Sequence, residues 1–155
     1  MIHSAMVLAW MLRLSPNVPH ADFPFIAEAI AQVANEDSNP LDAAATLTAI
    51  GRFESNFDLY ALSKPEDTTT SLGVFQLSTR WIRFPISPYE QAATALWLIR
   101  DSQFRCGTLA EYTSGNCYNG IIEAADRSKL AVRLQSEMFF EPALPIFKKR
   151  TYEEL

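Results

Sequence analysis

The chain has 155 residues, enough for one domain with one sizeable hydrophobic core. Nearly half of the residues are apolar and a fifth are charged, a composition that excludes intrinsic disorder. The net charge is −5, and the longest basic run is Lys148–Arg150, so the chain lacks the basic stripe typical of nucleic-acid-binding proteins. We therefore expect no nucleic-acid partner.

The opening segment, Met1–Leu12, is apolar but has no positively charged start and no small-residue cleavage site. It is also shorter than the roughly 20 apolar residues that span a bilayer. We therefore expect a buried first helix, about Ile2–Leu14, that ends before Pro16, rather than a signal peptide or a transmembrane segment.

Apolar residues recur at helical spacing in four further stretches. These predicted helices are Phe23–Ala34, Pro40–Glu54, Tyr89–Phe104 and Ile121–Phe139, the last as one helix or two. Asn39 is the expected N-cap of the third helix, with Pro40 in its first turn. Leu72–Ser78 is either helical or extended, and Cys106–Gly120 is predicted to be mostly loop. The fold class is all-α with at most a very small β element, in one domain: a helical N-terminal region 1–38, a core of about 41–120 and C-terminal helices 121–141.

Two cysteines, Cys106 and Cys117, leave two interpretations open. They either form one disulfide that closes a short loop or remain two reduced thiols, because two thiols alone make neither a disulfide framework nor a zinc site.

Glu54 is the most informative residue, because it places a carboxylate at the end of an apolar helical stripe formed by Leu47, Ile50 and Gly51. Phe53 and Phe57 would desolvate this carboxyl and favour its protonated form. A protonated carboxyl that a sugar can reach is the proton donor that glycosidic bond cleavage requires.

Further motifs follow Glu54-Ser55 in a set order: Ser63, Ser71-Leu72-Gly73-Val74-Phe75-Gln76, the Ala-rich stretch Gln91–Leu98 and Leu109–Asn116 around Tyr112. This order resembles the soluble lytic transglycosylases and the related goose-type lysozymes, over about Leu41 to Gly120. The resemblance implies a lysozyme-like fold in which Glu54 is the catalytic acid.

The same resemblance assigns substrate-binding roles. Ser63 would contact the N-acetyl region of the sugar, although a longer interval before Gln76 leaves this role open between Ser63 and Ser71. Gly73, Phe75 and Gln76 would shape the groove, with Phe75 where the family usually has Met. Tyr112 would lie close to the catalytic carboxyl, although Thr113-Ser114-Gly115 replaces the usual Asn-x-Gly.

The activity implied is that of a muramidase of lytic transglycosylase type, cutting the MurNAc–GlcNAc β-1,4 bond of peptidoglycan without cofactor or metal. Its partners would be glycan strands and a virion or cell-envelope assembly, and it would act at the cell wall. One alternative is a goose-type hydrolase with a second acid, chosen from Asp58, Glu66 and Asp67, of which we favour Asp67. Two further alternatives are a non-catalytic lysozyme-like component of a phage or cell-envelope assembly and an unrelated helical interaction protein.

Each of these side chains also has a purely structural interpretation. Large aromatic residues are more often core than substrate platforms, and a tyrosine is often bonded to a backbone carbonyl. Gln76 could be a helix cap or a surface residue, and the two histidines show no spacing for a metal site. The residues concerned are Phe53, Phe57, Phe75, Trp97, Tyr112, Gln76, His3 and His20.

Overall fold

The computed structural model describes residues 1–63, 69–82 and 86–137. This portion of the chain contains six helices and one small antiparallel sheet. The elements are α1 (Ser4–Leu14), α2 (Phe23–Glu36), α3 (Pro40–Glu54), β1 (Ser71–Leu72), β2 (Leu77–Ser78), α4 (Pro88–Cys106), α5 (Ala110–Ser114) and α6 (Ile121–Glu137). The predicted fold class, a single all-α domain with a very small β element, is confirmed.

Helix α3 is the centre of the fold, packed against α1, α2 and α6. Every residue from 43 to 51 is buried, and many of them are alanines, whose small side chains let neighbouring helices approach closely. The helix has the predicted bounds, and the Asn39 side chain accepts a hydrogen bond from the Asp42 backbone N–H at 3.4 Å. The predicted N-cap is therefore confirmed, and α3 carries its last residue, Glu54, outwards from the core.

Helix α4 is fixed by strong signals at both ends. Ser87 and Glu90 form a reciprocal capping box, and Gly107 ends the helix in the left-handed conformation. In its middle, Arg100 makes a two-pronged ion pair with Asp37, at 2.9 and 3.0 Å, and a further one with Asp42 at 2.8 Å. These bonds tie α4 to the connection between α2 and α3.

Leu72–Ser78, for which the sequence predicts either a helix or an extended segment, forms most of a hairpin. In this hairpin Ser71 pairs with Ser78 and Leu72 pairs with Leu77. The loop predicted at Cys106–Gly120 contains one short helix that the sequence analysis missed, α5. Cys106 and Cys117 form a disulfide that encloses this helix, so the first interpretation, one disulfide closing a short loop, is the one observed. Helix α6 is a single helix to Glu137, and residues 138–141 of the predicted C-terminal helices lie outside the described residues.

Within the described ranges, none of the helices combines the length and the apolar character needed to cross a membrane.

Candidate active-site cleft

The end of α3 is fixed in position by its own backbone and by the hairpin. The N–H groups of Ser55 and Phe57 both donate to the Gly51 carbonyl, at 3.3 and 3.1 Å, and so close the last turn. The Ser55 hydroxyl donates to the Val74 carbonyl at 2.8 Å. The side chain of Glu54 therefore starts from a point anchored to the turn of the hairpin.

Glu54 opens into a cleft of about 510 Å³. The hairpin contributes Ser71 and Gln76 to its wall, α4 contributes Asp101, and α5 contributes Tyr112. A concave site with a few converging polar groups is the usual form of a ligand-binding pocket. Glu54 and the candidate residues Ser71, Gln76 and Tyr112 therefore share one cavity.

An arginine that the sequence analysis did not identify binds the Glu54 carboxylate. Arg127, from α6, donates from Nε at 3.0 Å and from Nη2 at 2.7 Å to the same oxygen, Oε1. The side chains of Glu54 and Arg127 are only 19% and 12% exposed, and the guanidinium carbon lies 5.1 Å from the Phe53 ring centroid. Arg127 thus orients the carboxyl and leaves Oε2 without a bond from this arginine.

Tyr112 lies close enough to Glu54 to respond to its charge. Burial, followed by the negative charge of Glu54, raises the pKa of the Tyr112 phenol well above its usual range, against the opposing charge of Arg127. The hydroxyl donates to the Phe75 carbonyl at 2.8 Å. Tyr112 is therefore bonded to a backbone carbonyl, as its structural interpretation expects. It also lines the cleft together with Glu54, the position that the resemblance implies.

The turn of the hairpin, residues 73–76, connects the parts of the cleft. Its Val74 N–H donates to the Oε1 atom of the buried Gln91, from α4, at 3.0 Å, while the Gln76 amide donates to the Gly73 carbonyl at 3.0 Å. With the Ser55 bond to Val74 and the Tyr112 bond to Phe75, this turn is bonded to α3, α4 and α5. The position of Glu54 relative to Tyr112 therefore depends on it.

The two candidate serines lie in different surroundings, and which of them contacts the substrate stays a prediction. Ser71 lines the cleft, whereas the Ser63 hydroxyl accepts a hydrogen bond from the Ser71 N–H at 2.9 Å and supports the strand. Of the other predicted substrate contacts, the Phe75 side chain is buried in the core and Gly73 faces Gln91. Their role in shaping the groove through the backbone stays a prediction.

The aromatic surroundings expected around Glu54 are not those observed. Phe57 packs inwards against Phe23, with ring centroids 5.4 Å apart. Phe53 is 46% exposed and lies under Arg127, so an arginine replaces the expected apolar cover. The structural interpretation as core is confirmed for Phe57 and Phe75 and is wrong for Phe53 and Trp97, both largely exposed.

The carboxylates proposed as a second acid are not found in the described part of the cleft. Asp58 lines a separate depression, and Glu66 and Asp67, the favoured choice, lie outside the described residues. The cleft does contain Asp101 and Glu111, which the sequence analysis did not consider, and both are ion-paired to Arg105.

Arg127 and the exposed Trp81 are the most informative residues that sequence reasoning missed. Arg127 lies 73 positions from Glu54, so no local spacing could have paired them. Trp81 follows a two-residue strand too short for its periodicity to be read. Of the histidines, His20 contacts the Ser15 carbonyl, and no three His, Cys, Asp or Glu side chains of the described ranges could together hold a metal ion.

Comparison with known proteins gives no match: no protein-family model matches the chain, and neither a curated protein nor a solved structure matches it.

Proposed function

We propose that this protein is a peptidoglycan-cleaving muramidase of lytic transglycosylase type, with Glu54 as general acid and then general base. The observation that carries the proposal is the Glu54 carboxyl at the end of a buried helix, opening into a cleft whose wall includes Tyr112 and Gln76. The substrate would be the glycan strand of the bacterial wall, reached in the periplasm or by delivery with a virion or envelope assembly.

In the proposed first step, Glu54 donates its proton to the glycosidic oxygen, and the bond from that oxygen to C1 of the muramyl unit breaks. The acetamido oxygen of the same sugar stabilises the developing positive charge at C1. In the second step the C6 hydroxyl attacks C1 and gives its proton to the Glu54 carboxylate. The products are a 1,6-anhydro end and a free 4-hydroxyl, and Glu54 is again protonated.

Arg127 fits this cycle as a positioning residue. Its two bonds to Oε1 hold the carboxyl at one orientation and stabilise the carboxylate that exists between the two steps, while Oε2 is available to carry the proton. The phenol of Tyr112, which is neutral near pH 7 and whose pKa burial raises further, lines the cavity without adding a charge.

The proposed transglycosylation needs one carboxylate, which Glu54 supplies. A two-carboxylate hydrolase needs a second acid that activates water. Among the described residues of the cleft, Asp101 and Glu111 are both engaged by Arg105. Because Arg127 engages Glu54 in the same way, these ion pairs do not separate the two reactions, and the analysis of the reaction products does.

The decisive experiment incubates purified peptidoglycan with the wild type and with Glu54→Gln, which keeps the size of the side chain but has no acidic proton. We expect release of anhydromuramyl products by the wild type and a rate loss of roughly 100- to 10,000-fold in the variant. Glu28→Gln, on the exposed face of α2, is the matched control and should retain full activity.

Mass spectrometry of the products separates the alternatives. Reducing ends without anhydro ends would assign the protein to the hydrolases. Equal rates in Glu54→Gln and the wild type, or no release by a folded wild type, would refute the proposal.

Arg127→Met tests the positioning role separately. We expect kcat to fall by about 10- to 100-fold with little change in KM, because a misplaced acid slows chemistry more than binding. Arg133→Met removes an exposed arginine from the same helix and is the control. A KM increase at unchanged kcat would instead assign Arg127 to substrate binding.

A further inference from the structure

Two tryptophan side chains lie exposed beside the cleft. Trp81, after β2, and Trp97, in α4, are each 58% exposed, and their rings meet edge to face with centroids 5.9 Å apart. The third tryptophan, Trp10, is buried in the core in the usual way. Because Trp81 also lines the Glu54 cleft, the indole pair continues the wall of that cleft outwards.

Helix α4 gives this wall its direction. Trp97, Asp101 and Arg105 follow one another at intervals of four residues and therefore lie along one face of the helix. With a rise of about 1.5 Å per residue, this row is roughly 12 Å long. Arg105 is ion-paired to Glu111, which immediately precedes Tyr112, so the row runs from the region of the catalytic acid to the indole pair.

The chemistry of the row favours a neutral ligand with both apolar and hydrogen-bonding surfaces. Apart from Glu54, which is paired with Arg127, the lining of the whole cleft carries Arg80 and Arg105 against Asp101 and Glu111, so its formal charges cancel. A phosphate-bearing ligand would need a positive excess. A pyranose ring fits this environment, because its C–H face can stack on an indole while its hydroxyls bond to the neighbouring polar groups.

We propose that Trp81 and Trp97 form a saccharide subsite that takes a neutral N-acetylhexosamine unit of the glycan strand, at a distance from the bond that is cut. The proposal rests on the function proposed above and extends it to a specificity site that holds the strand in the cleft. Its contribution is to binding, since an indole has no acidic or basic group that could carry the proton of the reaction.

The test uses full-length Glu54→Gln protein, so that bound sugar is not consumed. Calorimetric titration with the tetrasaccharide of β-1,4-linked N-acetylglucosamine gives the parent affinity. We expect an additional Trp97→Ala substitution to weaken Kd by about tenfold, and Trp97→Phe to recover part of the loss. Phe104→Ala, which removes an 89% exposed aromatic from the same helix outside the cleft, should leave Kd unchanged.

The outcomes separate this proposal from the one that supports it. If the wild type releases muropeptides but Trp97→Ala binds the sugar as well as Phe104→Ala does, the subsite is refuted and the activity stands. No binding by the parent also refutes the subsite. A concentration-dependent dimer in sedimentation, abolished by Trp97→Ala, would assign the indoles to self-association instead. A wild type that fails to cut peptidoglycan refutes the function, whatever the sugar titration gives.

Discussion

Replacing Gly73 by alanine is expected to destabilise the protein through two separate effects. Gly73 has a φ of +72°, a conformation that costs an alanine about 1–2 kcal/mol. The new Cβ would also lie 2.7 Å from Cδ of Gln91, whose amide oxygen accepts the buried Val74 N–H. Displacing Gln91 leaves that N–H unpaired, at a cost of roughly 1–3 kcal/mol.

The two effects together predict a loss of about 2–5 kcal/mol in the free energy of unfolding. For a chain of this length each kcal/mol lowers Tm by roughly 2–4 °C, so Tm should fall by about 5–20 °C. Thermal unfolding followed by circular dichroism, with urea unfolding at 25 °C, measures both quantities.

Gly107→Ala isolates the backbone effect. Gly107 has a φ of +69° but open space where its Cβ would lie, so only the conformational cost of about 1–2 kcal/mol is expected. Gln91→Met isolates the other effect, because it keeps the volume of the side chain and removes the acceptor. Equal losses in Gly73→Ala and Gly107→Ala, with Gln91→Met unaffected, would refute the argument.

Two further predictions concern stability. Burial opposes the ionisation of Asp37, but the Arg100 hydrogen bonds and the Asn39 N–H outweigh it and lower the pKa of Asp37. Asp37→Asn should therefore cost roughly 1.5–3 kcal/mol at pH 7. Its difference from the wild type in urea unfolding should begin to shrink below about pH 3.9, where this carboxyl takes up a proton in the unfolded chain, and should be lost as the pH falls through the lowered pKa of the folded protein. Replacing Cys106 and Cys117 together by serine should lower stability by about 3 kcal/mol, since their bridge closes a short loop; a Tm equal to that of the oxidised wild type would contradict this.

The fold was predictable where local chemistry decides it. Helix α3 begins and ends as predicted because Asn39 and Pro40 mark its start and the apolar stripe stops at Glu54. Helix α5 was missed because five residues are too few for a periodic pattern. Such a short helix is stable only with its surroundings, here the disulfide and the Tyr112 bond to Phe75.

The candidate site was predictable to a smaller extent, because its composition depends on packing between distant segments. The sequence identified Glu54, Gln76 and Tyr112, which lie together, but it placed Phe53 beside the acid as apolar cover. The contact of α3 with α6 brings Arg127 there instead, across 73 positions. At Phe75 the ring is buried in the core, and the backbone carbonyl bonds to Tyr112 in the wall of the cleft, which the sequence alone could not distinguish.

The turn of the hairpin explains why side chains outside the cleft, such as Ser55 and Gln91, still matter to its geometry. Ser55 directly follows α3, Gln91 lies in α4 and Tyr112 lies in α5, and each bonds to the backbone of Val74 or Phe75. A shift of this turn therefore displaces both the anchor of Glu54 and the hydroxyl of Tyr112 from their places in the cleft. Since a displacement of about 1 Å can slow an enzyme roughly 100-fold, Gly73→Ala should lose the activity proposed for Glu54 at temperatures where the variant is still folded. Full activity in the folded variant would mean that the helices, rather than the turn, fix the cleft.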